Sequence, residues 1–173
     1  GDLPMDPGPV VAAVETMAPT GVDFVKVGIA PQGDPAGCLA ALAPACAAGV
    51  RVVAVFFADL WGDSLPVAAA ARAGLAGVML DTAGKGRGLL HHRERHDLLR
   101  FVEEAKRFGL MTGLAGSLRL ADIPVVAVCG ADYLGFRGAL CGGADRTARI
   151  DRAHAEAVAA AMRAVAGPEV PVE

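Results

Sequence analysis

The feature that most constrains the fold of this chain is a series of five short apolar runs: "VDFVKVGI" (22–29), "RVVAVFFAD" (51–59), "GVMLDTA" (77–83), "MTGLAGSL" (111–118) and "YLGFRGAL" (133–140). Each is bounded by turn residues, and none alternates cleanly between apolar and polar positions. A strand wetted on one face alternates; a strand covered on both faces does not. Helical patterns lie between the runs, over about 8–19, 34–48, 64–74, 93–108 and 151–166. Asp34-Pro35 and Asp63-Ser64 read as helix starts, and Gly49, Gly74 and Gly109 as helix stops. "DIPVVAVCG" (122–130) reads as a short helix rather than a sixth strand, because the spacing to the next run is then that of an ordinary βα unit. The order α-β-α-β-α-β-α-β-α-β-α predicts a parallel α/β domain over the whole of 1–173. Two architectures fit: a doubly wound sheet, or part of a (β/α)8 barrel. Both place chemistry at the carboxyl ends of their strands. No G-x-G-x-x-G follows the first run, which counts against a dinucleotide fold.

Composition narrows the partners. The chain is 54% hydrophobic, yet no apolar run reaches the length of a membrane span, so no membrane partner is expected. The start, "GDLPMDPGP", is polar and proline-rich, unlike a signal peptide. A net charge of −3, with no basic run, argues against a nucleic-acid surface. Cys38, Cys46, Cys129 and Cys141 have no CxxC spacing and read as small buried thiols of a cytoplasmic protein.

Arginine outnumbers lysine 13 to 3, which makes Lys26, Lys85 and Lys106 informative. Lys106 lies in "RFVEEAKRFG" and reads as solvated charge on a helix face. Lys85 lies in "GVMLDTAGKGRGLL", a strand that ends on Asp81 and turns into a glycine-rich loop. This is not an NTPase phosphate loop: position 79 is Met where that motif needs Gly, and position 86 is Gly where it needs Ser or Thr. Lys26 lies inside an apolar run, where a charge needs a partner or nearby water. It reads either as an ion pair with Asp23 or Asp81, or as an amine poised for proton transfer or imine chemistry. Asp81 reads either as a cap for its own loop or as the holder of a lysine. Gly116-Ser117 ends one run; Arg137-Gly138 and Gly142-Gly143 end the next. These are tight turns, or a phosphate cradle of backbone N–H groups with Arg137 as a bidentate partner. His92 and His96 are four residues apart but lack a third ligand, and read as a solvated helix start. Asp59 also ends a run and is a further candidate.

Taken together, "GVDFVKVGI", "MLDTAGKG", "GLAGSL", "DIP" and "LGFRGALC…DRTARID" resemble the (5-formylfuran-3-yl)methyl phosphate synthases, also described as 4-(hydroxymethyl)-2-furancarboxaldehyde phosphate synthases. The resemblance runs in order along essentially the whole chain. It implies a Schiff-base (β/α)8 barrel, with the five strands here as family strands 4 to 8. It implies a lyase that joins two molecules of glyceraldehyde 3-phosphate, losing phosphate and water, to make the furan of a methanofuran-like one-carbon carrier. The family's proton-accepting lysine falls on Lys26, and its supporting aspartate and lysine on Asp81 and Lys85. The phosphates would rest on the Gly116/Ser117 and Gly142/Gly143 turns, and neither metal nor organic cofactor is called for. The family's imine-forming lysine lies in a segment resembling "DVKNP", which this sequence does not contain. The expectation is therefore a chain that lacks its first three strands, is inactive alone, and pairs with those strands or with a second copy. Two competing readings are an aldolase or isomerase barrel using Lys26 as nucleophile, and a non-catalytic module that binds a phosphorylated ligand.

Overall fold

The structure is a computed structural model that describes residues 4–84, 86–141 and 148–166. Its elements are α1 (Pro7–Met17), β1 (Val25–Ile29), α2 (Pro35–Ala41), α3 (Ala43–Ala47), β2 (Val52–Phe57), α4 (Val67–Arg72), β3 (Gly77–Asp81), α5 (Leu89–His92), α6 (Arg95–Arg107), β4 (Met111–Leu114), α7 (Ile123–Ala127), β5 (Tyr133–Leu134) and α8 (Arg152–Ala166). Short 3-10 turns follow α1, precede α7 and follow β5. All five strands are parallel, and their order in the sheet is their order in the chain, β1-β2-β3-β4-β5.

That order explains which face is covered. Right-handed crossovers between strands that never reverse direction of travel put every connecting helix on the same side. A doubly wound sheet reverses once and covers both sides. Here the main core joins one parity of strand residue, including Val25, Val27, Ile29, Val52, Ala54, Phe56, Val78, Leu80 and Leu114, to apolar residues of the helices. The other parity forms a smaller cluster, Val53, Val55, Met79 and Ala115, roofed by Phe24, Phe57, Met111 and Tyr133, with no helical member. Of the two architectures that fit the sequence, the doubly wound sheet is thus set aside: among the described residues the sheet is singly wound and has one open face.

Several boundaries move for local reasons. The predicted helix 34–48 divides at Leu42, because Pro44 cannot donate the amide that a continuous helix needs. Its start is as expected, with Asp34 Oδ1 accepting from the Gly37 amide at 2.8 Å. Asp63 does not cap the next helix. That helix begins at Val67 behind Pro66, and Asp63 pairs with Arg93 instead. Gly49, Gly74 and Gly109 adopt φ of 95°, 74° and 71°, left-handed values that end a helix and strain any other residue. His92 and His96 fall on different helices, α5 and α6, because the chain extends at Arg93 between them.

The last strand shrinks from the predicted 133–140 to two residues. Phe136 turns into the helix-side core, and the chain continues as a 3-10 turn over Gly138–Leu140. So short a strand needs a pin, which is a link between a residue of β4 and the residue that leads into β5. The Asp132 carboxylate accepts from the Thr112 amide at 2.6 Å and the Thr112 hydroxyl at 2.7 Å. Burial raises the Asp132 carboxyl, but the bonds from Thr112 and the charge of Lys106 outweigh it, and it sits below the usual carboxylate range.

One glycine sets the spacing of the central strands. A Cβ on Gly77 would stand 2.5 Å from the Met111 carbonyl oxygen, which is backbone and cannot swing aside. Gly77→Ala is therefore expected to force β3 and β4 apart locally and to cost about 1–3 kcal/mol. A urea midpoint unchanged from wild type would contradict this.

Candidate active site

The open face of the sheet carries the side chains of interest, arranged in rows by the strand register. One row is Lys26, Val53, Gly77 and Met111. The next toward the carboxyl ends is Gly28, Val55, Met79, Gly113 and Tyr133. The row above that holds Phe57 and Asp81. Lys26 and Asp81 therefore share a face, opposite to the helices. Lys26 does not end its strand, however. It is the second residue of β1, and its row lies four residues below that of Asp81, roughly 13 Å along the strand direction.

The burial expected of Lys26 also needs correction. It is exposed, because no helix among the described residues covers this face. Its ammonium rests 4.8 Å from the centroid of the Tyr133 ring, a cation–π contact between the first strand and the last. Asp81 is half-buried at the end of β3, and its Oδ1 accepts from the Thr82 amide at 2.7 Å. Lys85 lies outside the described residues, as do Gly142 and Gly143.

At the carboxyl ends, consecutive loops are tied together. The Trp61 indole donates to the Ile29 carbonyl at 2.7 Å, linking the β2 loop to β1. Asp59 accepts from the amides of Ala83 and Gly84 at 2.9 and 2.7 Å, linking the β2 loop to the segment that carries Lys85. Burial raises the Asp59 carboxyl, but the two amide bonds outweigh this and hold it below the usual range. Arg93 is buried and donates to the carbonyls of Trp61 and Gly62, so the loop after β3 grips the loop after β2. Finally, the Leu89 amide donates to the Gly116 carbonyl at 2.9 Å, joining the β3 loop to the β4 loop.

Gly116 and Ser117 take φ of 107° and 48°, so the β4 loop turns through two left-handed residues. The amides of Gly116, Ser117 and Leu118 donate to no acceptor among the described residues. The same is true of the amides of Arg137, Gly138 and Ala139 after β5. The Arg137 side chain is exposed. Two sets of open N–H groups thus end neighbouring strands.

Sequence reasoning missed Tyr133, Trp61 and Arg93. The chain has one tyrosine and one tryptophan, and that scarcity was the available signal. The Tyr133 phenol is pushed up to about 12, first by burial and then by the charges of Asp81 and Asp132. The unfolded chain releases this proton near pH 10. The stabilisation is therefore complete below about pH 10 and is lost as pH rises through the folded value. Wild type should lose stability over that alkaline window more steeply than Tyr133→Phe. Parallel curves for the two proteins would contradict a raised Tyr133 phenol.

A singly wound parallel sheet with Lys26 and Asp81 on its open face and open amides at its strand ends places the chain among the α/β proteins. The chain belongs to the 4-HFC-P synthase family, whose sequence model matches residues 1–159. This upholds the resemblance read from the motifs. A (5-formylfuran-3-yl)methyl phosphate synthase of Methanopyrus kandleri is 39% identical over 169 residues, covering 89% of this chain and 70% of that protein. The protein of the same name from Methanocaldococcus jannaschii is 36% identical over 165 residues, covering 88% and 70%. A relative from Methylorubrum extorquens, provisionally given the same name, is 46% identical over 158 residues, covering 90% of this chain and 64% of its own length. The chain thus spans about two thirds of the length of these relatives. No helix among the described residues is long and apolar enough to cross a membrane.

Proposed function

We propose that the protein acts as a (5-formylfuran-3-yl)methyl phosphate synthase, a lyase that condenses two molecules of glyceraldehyde 3-phosphate. The observation that carries this reading is the shared open face of Lys26 and Asp81, the positions onto which the family's proton-accepting lysine and its supporting aspartate fall. Two trioses supply the six carbons of the product, and the balance releases one phosphate and two waters. Such a sequence needs an electron sink, a group that takes a proton from carbon, and acids for the eliminations. The sink is an imine of the Schiff-base type, formed in the family on a lysine of a DVKNP-like segment and not assigned to a residue of this chain. Lys26 exchanges the carbon-bound proton. Asp81 and Lys85 serve the eliminations, with Asp59 holding the loop between them.

The substrate phosphates bind the open amides after β4 and β5, at Gly116, Ser117 and Gly138, assisted by Arg137 and by the Gly142-Gly143 turn. The singly wound sheet is a sector of a (β/α)8 barrel whose interior is the open face. The furan product feeds a methanofuran-like one-carbon carrier.

The test is incubation of the complete gene product with glyceraldehyde 3-phosphate, followed by borohydride trapping and peptide mapping. The expected result is a furan aldehyde absorbance that rises together with free phosphate, and a trapped adduct away from Lys26. Binding without turnover would favour the non-catalytic module, and an adduct on Lys26 would favour an aldolase.

A further inference from the structure

We propose that Tyr133 is a positioning residue that holds the Lys26 ammonium over the middle of the open face. This deepens the preceding proposal and rests on Lys26 as the proton carrier. Lys26 is an exposed side chain on a flexible four-carbon stem, and its row lies well below that of Asp81. Left free, such a side chain samples many rotamers and seldom points toward the carboxyl end. Tyr133 occupies the row between the two, and the lysine ammonium meets its ring 4.8 Å from the centroid. The negative face of the ring attracts the cation and gives it a preferred place.

The ring is itself fixed at two points. Its hydroxyl donates to the Met79 sulfur at 3.4 Å. Its far edge fills the space left by Gly113, where a Cβ would stand 2.2 Å from the Tyr133 Cζ. Tyr133 thus lies across β4 and reaches β3, and Lys26 comes to it from β1 over β2. Neither anchor belongs to the machinery assigned above, and the contact with Lys26 uses the ring face rather than the hydroxyl. Phenylalanine gives up the bond to Met79 but keeps the ring face and its seat over Gly113, and should preserve the positioning, while leucine should lose it.

Only three lysines are present, so labelling with 13C-lysine gives a readable spectrum. The Lys26 signal is assigned by its loss in Lys26→Met. In wild type the Lys26 ε-CH2 is expected upfield, with a nuclear Overhauser contact to the Tyr133 ring protons. The shift should persist in Tyr133→Phe and collapse in Tyr133→Leu. If the leucine variant does not fold, the wild-type spectrum decides: a folded protein with no Overhauser contact and no upfield shift overturns the proposal. In the complete gene product, Tyr133→Leu should lower kcat for furan formation about tenfold with little change in KM, and Tyr133→Phe should restore it. A leucine variant as active as wild type would overturn the positioning role. A fully active Lys26→Met, alongside a wild-type spectrum that shows the ring contact, would overturn instead the proton-transfer reading on which that role rests.

Discussion

Lys26→Met in the complete gene product is expected to lower turnover of glyceraldehyde 3-phosphate by about 10²–10⁴-fold, the range that a positioned proton-transfer group contributes. Stability should barely change. Lys26 is exposed and belongs to neither apolar cluster, while its neighbours Val25 and Val27 turn to the helix side and anchor β1. Methionine keeps the unbranched stem and removes the ammonium, so the variant separates chemistry from folding. A cation that merely solvates the face would leave turnover within about twofold of wild type. A loss of activity accompanied by an equal loss of folded protein would also speak against a chemical role.

The second large effect is expected at Asp59. Its two oxygens accept from successive amides, Ala83 and Gly84, and so hold the segment between Asp81 and Lys85 from the neighbouring strand's loop. Asp59→Ala removes both acceptors. These are hydrogen bonds to a charged group, but the amides they hold are near water, so the cost should be about 1–2 kcal/mol rather than the full value for two buried bonds. The effect on rate should be larger, about 10²-fold, because a shift of an ångström in a catalytic loop is felt in the transition state. The pH dependence has a definite sign. The Asp59 carboxyl is depressed in the folded chain, so its stabilisation is present above the unfolded value near 3.9 and is lost as pH falls through the folded value. Asp59→Ala should therefore lose less stability on acidification than wild type. An acid-unfolding curve and a rate both equal to wild type would show the loop to be held by something else.

The five strands were legible because each is an apolar run closed by turn residues, and a parallel sheet makes such runs its commonest signal. Their ends were less so. Phe136, Ala139 and Leu140 extend the apolar run after β5 has ended, and Phe136 buries its ring in the helix-side core without strand pairing. Apolar character reports burial, and burial alone does not distinguish a strand from the turn that follows it. The break in the predicted helix 34–48 was written in Pro44, whose missing amide the periodicity concealed. Asp63 looked like a cap because it precedes Ser64 and Pro66, yet its partner, Arg93, is 30 residues distant.

The site divides in the same way. The placement of Asp81 at a strand end was readable from the run that it closes. Lys26 was read as buried because an unalternating run implies two covered faces. In β1, however, the real pattern is Val25, Val27 and Ile29 facing the helices, with Lys26 and Gly28 on the open side. Tyr133 was invisible because its contacts, with Lys26, Met79 and Gly113, come from three other strands and leave no local pattern. The ties through Trp61, Asp59 and Arg93 were hidden for the same reason, since each joins the loop after β2 to a neighbouring strand end or loop.

The claim at the centre of this account is that Lys26 carries a proton to or from substrate carbon. Solvent exchange reads that step without requiring the later eliminations. Glyceraldehyde 3-phosphate is incubated in D2O with the complete gene product, and deuterium at its carbon positions is followed by proton NMR and mass spectrometry. Wild type is expected to exchange a carbon-bound hydrogen, while Lys26→Met is expected to retain it and still form an imine that borohydride traps. Exchange by Lys26→Met at the wild-type rate would contradict the account.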